Sequence, residues 1–194
     1  MTTVAPAAAG EGPRAASSSS NGHESRDKHG LRVATYNASL NRGEQGQLLR
    51  DLSTPDNQQA RNIAQVIQIN DPDIVLLNEL DYVPGGRAAR AFRDNYLAVS
   101  QNGHAPVDYP YHYVAPVNTG VPSGLDLNQD GTVDGPDDAW GFGLFPGQYG
   151  MVIYSKYPIA RDQVRTFQHF RWQDMPGNHL PTDLSLIHIS EPTR

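Results

Sequence analysis

The residues of this chain best suited to chemistry are an acid and an amide at the ends of two apolar runs. Asp73-Ile74-Val75-Leu76-Leu77-Asn78-Glu79-Leu80-Asp81 reads as a strand buried on both faces that ends in Asn-Glu-Leu-Asp. Packing gives no reason for that ending, because carboxylates leave water only when they are paired or bound to a metal. Glu79 is therefore expected at the mouth of a sheet, holding a hard cation; the plain alternative is a strand that runs out into a polar loop. Residues 31–37, Leu-Arg-Val-Ala-Thr-Tyr-Asn, alternate apolar and polar and predict a second strand ending at Asn37. Asn37 is either a turn former or an amide oxygen beside Glu79. Asp81 would support the loop or a second cation.

A second set of oxygens lies further along. Calcium loops place oxygen ligands at positions 1, 3, 5, 7, 9 and 12, with Gly at position 6 for the turn. Residues 126–137 put Asp126, Asn128, Asp130, Thr132 (through its carbonyl), Asp134 and Asp137 at those positions, with Gly131 at the sixth. The last ligand is Asp, where an EF-hand has Glu, and the glycines that follow exclude a long exit helix. The loop has no second copy, so it reads as a single calcium loop stiffening an insertion at 118–147, or else as an acidic solvent loop.

Other elements must position these groups. Thr54-Pro55-Asp56 predicts a helix start, with Ala60, Ile63, Ala64 and Ile67 as its apolar face and Asp71-Pro72 as its end. Strand, helix, strand in that order implies a crossover connection and a parallel or mixed sheet. Ala88, Ala91 and Phe92 suit a short helix whose Arg87, Arg90 and Arg93 form a solvated row or meet phosphates. A short strand is expected within 109–117 and another over 149–154, where Gly150 marks a close backbone approach. The next strand is expected over 160–170, paired antiparallel with the one before it.

Composition narrows the class. The chain has 194 residues, a formal charge of −6 and no Cys, which excludes thiol chemistry, thiolate zinc sites and disulfides. An acidic chain is not built to hold long nucleic acid electrostatically, although a metal can bring a phosphate to it. No apolar run approaches the roughly 18 residues of a membrane span. Residues 1–30 are rich in Ala, Ser, Gly and Pro and predict a flexible tail, with His23 and His29 solvated within it. No signal-peptide core is present, so the chain is cytoplasmic or its true start lies upstream. The tail's composition is that of linkers in secreted proteins, which favours a secreted or extracytoplasmic location.

Four segments taken together carry a resemblance: 33–37 (Val-Ala-Thr-Tyr-Asn), the helix with Gln59-Ala60-Arg61 and Ile63, 73–81, and 150–159 (Gly-Met-Val-Ile-Tyr-Ser-Lys-Tyr-Pro-Ile). In this order they resemble the endonuclease/exonuclease/phosphatase superfamily, over about residues 31 to 160. The resemblance implies a four-layer α/β sandwich of the deoxyribonuclease-like type and hydrolysis of a phosphoester of unknown type by a chain that is monomeric when complete. It implies that Asn37 and Glu79 form a catalytic metal pair for Mg²⁺ or Mn²⁺; the structural Ca²⁺ expected in the 126–137 loop rests on that loop's own ligand spacing. The family's C-terminal catalytic His, its partner Asp and its central Asp-x-Asn have no counterpart, since His169, His179 and His188 lack the matching context.

The domain is thus expected over 31–183, truncated so that the second half is missing and the fragment is inactive. Residues 184–194 read as a non-native tail. Half a sandwich leaves an apolar sheet face without a partner, so the chain is expected to be marginally stable and prone to associate. The rival reading is a non-catalytic calcium-binding module centred on 126–137.

Overall fold

The computed structural model describes residues 30–179; the expected tail, apart from Gly30, and the segment 184–194 lie outside the described residues. Strand β1 (Val33–Leu40) leads through two helices, α1 (Gln47–Asp51) and α2 (Gln58–Asn70), into β2 (Ile74–Leu80). Helix α3 (Arg87–Phe92) runs on into a π turn at Arg93–Leu97, and β3 (Tyr111–Val114) and β4 (Met151–Ser155) follow. The four strands form one sheet in the order β1-β2-β4-β3. β1 and β2 are parallel, as the intervening helices require, while β4 is antiparallel to both β2 and β3.

The expected apolar face of α2 is the observed one: Ala60, Ile63, Ala64 and Ile67 are all buried. Its start differs. Asn57, not Thr54, caps the helix, its side chain accepting from the Ala60 N–H at 3.0 Å. The Thr54 carbonyl instead accepts from the Tyr96 hydroxyl at 2.5 Å, which fixes that residue outside the helix. At the other end Asp71 takes a left-handed conformation, φ 41°, and the chain turns into β2.

One face of the sheet holds the core. Ala38, Leu40, Val75, Leu77, Val152 and Tyr154 pack among the α2 residues and Ala88, Ala89 and Phe92 of α3. Buried tyrosines satisfy their hydroxyls on backbone: Tyr154 donates to the Ala89 carbonyl at 2.6 Å and Tyr109 to the Pro72 carbonyl at 2.8 Å. Gln68 crosses the core to do the same for the chain after α3, donating to the Leu97 carbonyl and accepting from the Gln101 N–H.

The opposite face is only half covered, so β2 is not buried on both faces as its composition implies. Val75, Leu77 and Leu80 are buried, but Ile74 and Leu76 are half exposed. Leu76, Tyr113, Met151, Ile153 and Phe167 line an open groove of about 490 Å³ on this side. The segment 160–170 forms no strand; it makes a 3₁₀ turn at Arg161–Gln163 and runs on irregularly. The reason is topological. β4 already has β2 on one edge and β3 on the other, so no edge is left for its sequence neighbour.

Gly150 fulfils its expected role. A Cβ there would lie 2.8 Å from the Leu80 carbonyl oxygen and 3.0 Å from the Tyr82 nitrogen. The Gly150 carbonyl also accepts the Leu80 N–H at 3.0 Å, which ties β4 to the end of β2. Gly150→Ala is expected to cost about 1–3 kcal/mol of stability by overpacking, read as a lower midpoint in urea with an unchanged slope.

Candidate metal centre

A break in the β1–β2 pairing builds the site. Register runs from Val33 opposite Ile74 to Asn37 opposite Asn78, then resumes at Leu40 opposite Leu80. Two residues of β1, Ala38 and Ser39, therefore face one of β2, Glu79, which is a β-bulge. Strict alternation from Val75 and Leu77 would send Glu79 into the core. Instead Glu79 adopts φ 59° and Ser39 φ 50°, a left-handed backbone uncommon outside glycine. The alternation slips by one, Leu80 takes the buried position, and the Glu79 carboxylate emerges half-buried at the strand end. The Gln59 amide donates to the Ser39 carbonyl at 2.7 Å and pins the bulge to α2.

Both oxygens of Glu79 are held. Asn37 Nδ2 donates to Oε1 at 2.7 Å, and Asn41 Nδ2 donates to Oε2 at 3.0 Å. The Asn37 oxygen accepts the Ser39 N–H at 2.9 Å, which settles which end of that amide faces the acid. The sequence-predicted pair is thus in contact, but Asn37 meets Glu79 through its N–H, as an orienting group. Asn41 was legible only as part of a polar loop. Its nearness to Glu79 follows from the bulge, which no residue type announces.

A carboxylate has about four lone-pair positions, so two amide donors leave it room for a cation. Among the described residues no Lys or Arg forms an ion pair with Glu79, and no group of three or more His, Asp or Glu is arranged to hold a metal. One carboxylate flanked by amides fits a hard ion that keeps most of its water, as Mg²⁺ does, and does not fit a multi-carboxylate cage.

Asp81 serves the loop. It is 2% exposed, and its two oxygens accept the Arg42 N–H at 2.8 Å and the Tyr149 N–H at 3.1 Å. Burial pushes its pKa up to about 6, against the lowering effect of those two N–H bonds. Arg42 is further fixed by an ion pair from Nε to Asp51 at 2.6 Å. Gln148, 1% exposed, donates to the Arg42 carbonyl at 2.6 Å and accepts from the Leu144 N–H at 2.6 Å. Nothing in the sequence marks Gln148, because a Gln between Gly147 and Gly150 carries no signal of burial.

The second set of oxygens closes on itself. Asp126 accepts the Asp130 and Gly131 N–H groups at 3.1 and 2.9 Å, and Asn128 accepts Asp130 N–H at 3.0 Å. Asp130 accepts both the N–H and the hydroxyl of Thr132, at 2.9 and 2.6 Å, and these bonds hold its carboxyl below the usual range. Asp134 and Asp137 are exposed; the acid that reaches back is Asp138, buried and accepting the Leu127 N–H at 2.7 Å. The arginine row is engaged locally, Arg90 with the Gly85 carbonyl and Arg93 with Asp94. His169 and His179 are exposed, and His188 lies outside the described residues.

A model of the Endonuclease/Exonuclease/phosphatase family matches residues 34–192. No curated protein and no solved structure matches the chain.

The buried acid gives a pH dependence with a definite sign. The Asp81 pKa rises from 3.8 to about 6 in the folded chain, so the folded state holds that proton over a range where the unfolded state has lost it. Its contribution to stability is therefore favourable at low pH and is lost as pH rises from about 4 through about 6. Asp81→Asn is expected to flatten that part of the curve, measured as urea midpoints at a series of pH values.

Proposed function

This chain belongs to the endonuclease/exonuclease/phosphatase family, and on that premise we propose that it is a metal-dependent phosphoester hydrolase whose cation is held by Glu79. The observation that carries this reading is the Glu79 carboxylate, turned out of the core by a left-handed backbone and gripped at both oxygens by amide N–H groups. A strained residue of this kind is sustained only by surroundings that over-determine it, and such residues cluster at functional sites.

Glu79 offers its remaining lone pairs to the ion, while Asn37 and Asn41 fix the carboxylate rotamer. Asp81 holds together the loops after β1 and before β4. A bound Mg²⁺ or Mn²⁺ would polarise a phosphoryl oxygen and stabilise charge on the leaving oxygen. The substrate class is a phosphoester, and the charge of −6 weighs against long nucleic acid. For the architecture we propose the four-layer sandwich, in which a second sheet covers the face lined by Leu76, Met151 and Ile153.

The rival, a non-catalytic calcium module on 126–137, has less behind it. Asp126, Asn128 and Asp130 spend oxygens on the loop's own N–H groups, and no three acids there converge. A structural Ca²⁺ in that loop is compatible with the hydrolase, because the loop supplies no side chain to Glu79.

Calorimetry separates the two. Glu79→Ala is expected to weaken Mg²⁺ or Mn²⁺ binding about tenfold or more, and Asp130→Ala to leave it within about twofold. Metal affinity that survives Glu79→Ala would put the site elsewhere; calcium affinity that vanishes in Asp130→Ala, with no Mg²⁺ or Mn²⁺ binding at all, would favour the module.

A further inference from the structure

Two buried polar side chains beside the metal centre, Asp81 and Gln148, grip the same residue. Arg42 has its N–H accepted by Asp81 at 2.8 Å and its carbonyl met by the Gln148 amide at 2.6 Å. Asp81 and Gln148 are 2% and 1% exposed, so neither is a chance surface contact. Their other atoms are tied as well: Asp81 to the Tyr149 N–H, Gln148 to the Leu144 N–H. The residue next to the clamped one is Asn41, whose amide donates to Glu79 Oε2 at 3.0 Å. The Arg42 side chain reinforces the arrangement, with Nη1 donating to the Asn41 carbonyl at 2.9 Å.

We propose that Asp81 and Gln148 are positioning residues for the metal centre: by clamping the Arg42 backbone from both sides they hold the Asn41 amide on Glu79. The inference rests on the hydrolase reading and adds two residues to it, one of them supplied by the chain leading into β4. It also makes the insertion a support of the centre, since Gln148 holds Leu144 with the same side chain that holds Arg42. An amide is suited to this place because the two partners are opposite in kind. Gln148 donates to a carbonyl with one end and accepts from an N–H with the other, which neither an ionised Glu nor Met can do.

Action through a shared amide predicts non-additivity. If Asp81 and Gln148 act through Asn41, removing them should do little more once Asn41 is gone. The probe is Mn²⁺, followed by electron paramagnetic resonance on the full chain, with circular dichroism as a check of folding. Gln148→Met and Asp81→Asn are each expected to raise the Mn²⁺ Kd about tenfold, as loss of outer-shell partners does. Asn41→Ala is expected to do the same, and each double variant with Asn41→Ala to stay within about twofold of Asn41→Ala alone. An unchanged Kd in folded Gln148→Met, or losses that multiply in the double variants, would overturn the proposal. Asn41→Ala leaves the buried clamp intact, and an unchanged Kd there overturns the proposal by removing the link to Glu79. A wild-type chain whose Mn²⁺ binding is untouched by Glu79→Ala would instead remove the hydrolase reading beneath it.

Discussion

The molecule depends on the parallel pairing of β1 with β2 and on the single place where that pairing breaks. Side chains alternate along a strand, so a slip of one residue would exchange the two faces of β2. The buried Val75 and Leu77 prevent the slip along most of the strand. The bulge at Ala38 and Ser39 then imposes one locally, at Glu79. The same hydrophobic requirement that fixes the register thus determines where it can be given up: beyond Leu77, with Leu80 restoring burial on the far side. The left-handed backbone at Ser39 and Glu79 is the conformational cost, of order 1–3 kcal/mol for each such residue, offset by the core on either side.

Around that break the polar groups hold one another in place. Glu79 accepts from two amides and keeps lone pairs free, Asp81 accepts two N–H groups, and Gln148 meets a carbonyl and an N–H. A buried acid like Asp81 without such partners would be strongly destabilising; with them it joins the loop after β1 to the chain entering β4. Glycine makes this possible from the other side. Gly147 and Gly150 let the chain before β4 pass within contact of Tyr82 and Leu80, which brings the Tyr149 N–H to Asp81.

Much of this was legible in the residues. The apolar run ending in Asn78-Glu79 is a strand, the spacing of Ala60, Ile63, Ala64 and Ile67 is a helix face, and Gly150 is a close approach. The contact between Asn37 and Glu79 followed from two strands ending in polar groups on either side of a helix. What escaped notice depends on partners distant in sequence. The start of α2 shifted to Asn57 because Tyr96 claims the Thr54 carbonyl. The expected strand after β4 did not form because strand pairing is decided by available edges, and β4 had none. Asn41 and Gln148 are ordinary polar residues until the bulge and the glycines place them.

The groups that meet at Glu79 come from far apart along the chain: Asn37 stands 42 residues before it, and the Gln148 that holds Arg42 is 106 residues from its partner. Closing loops of that length costs conformational entropy before any of these contacts is made. An ion that binds only the finished arrangement stabilises every strand that contributes to it, by RT ln(1 + [ion]/Kd), and its reach extends from β1 to the entry of β4.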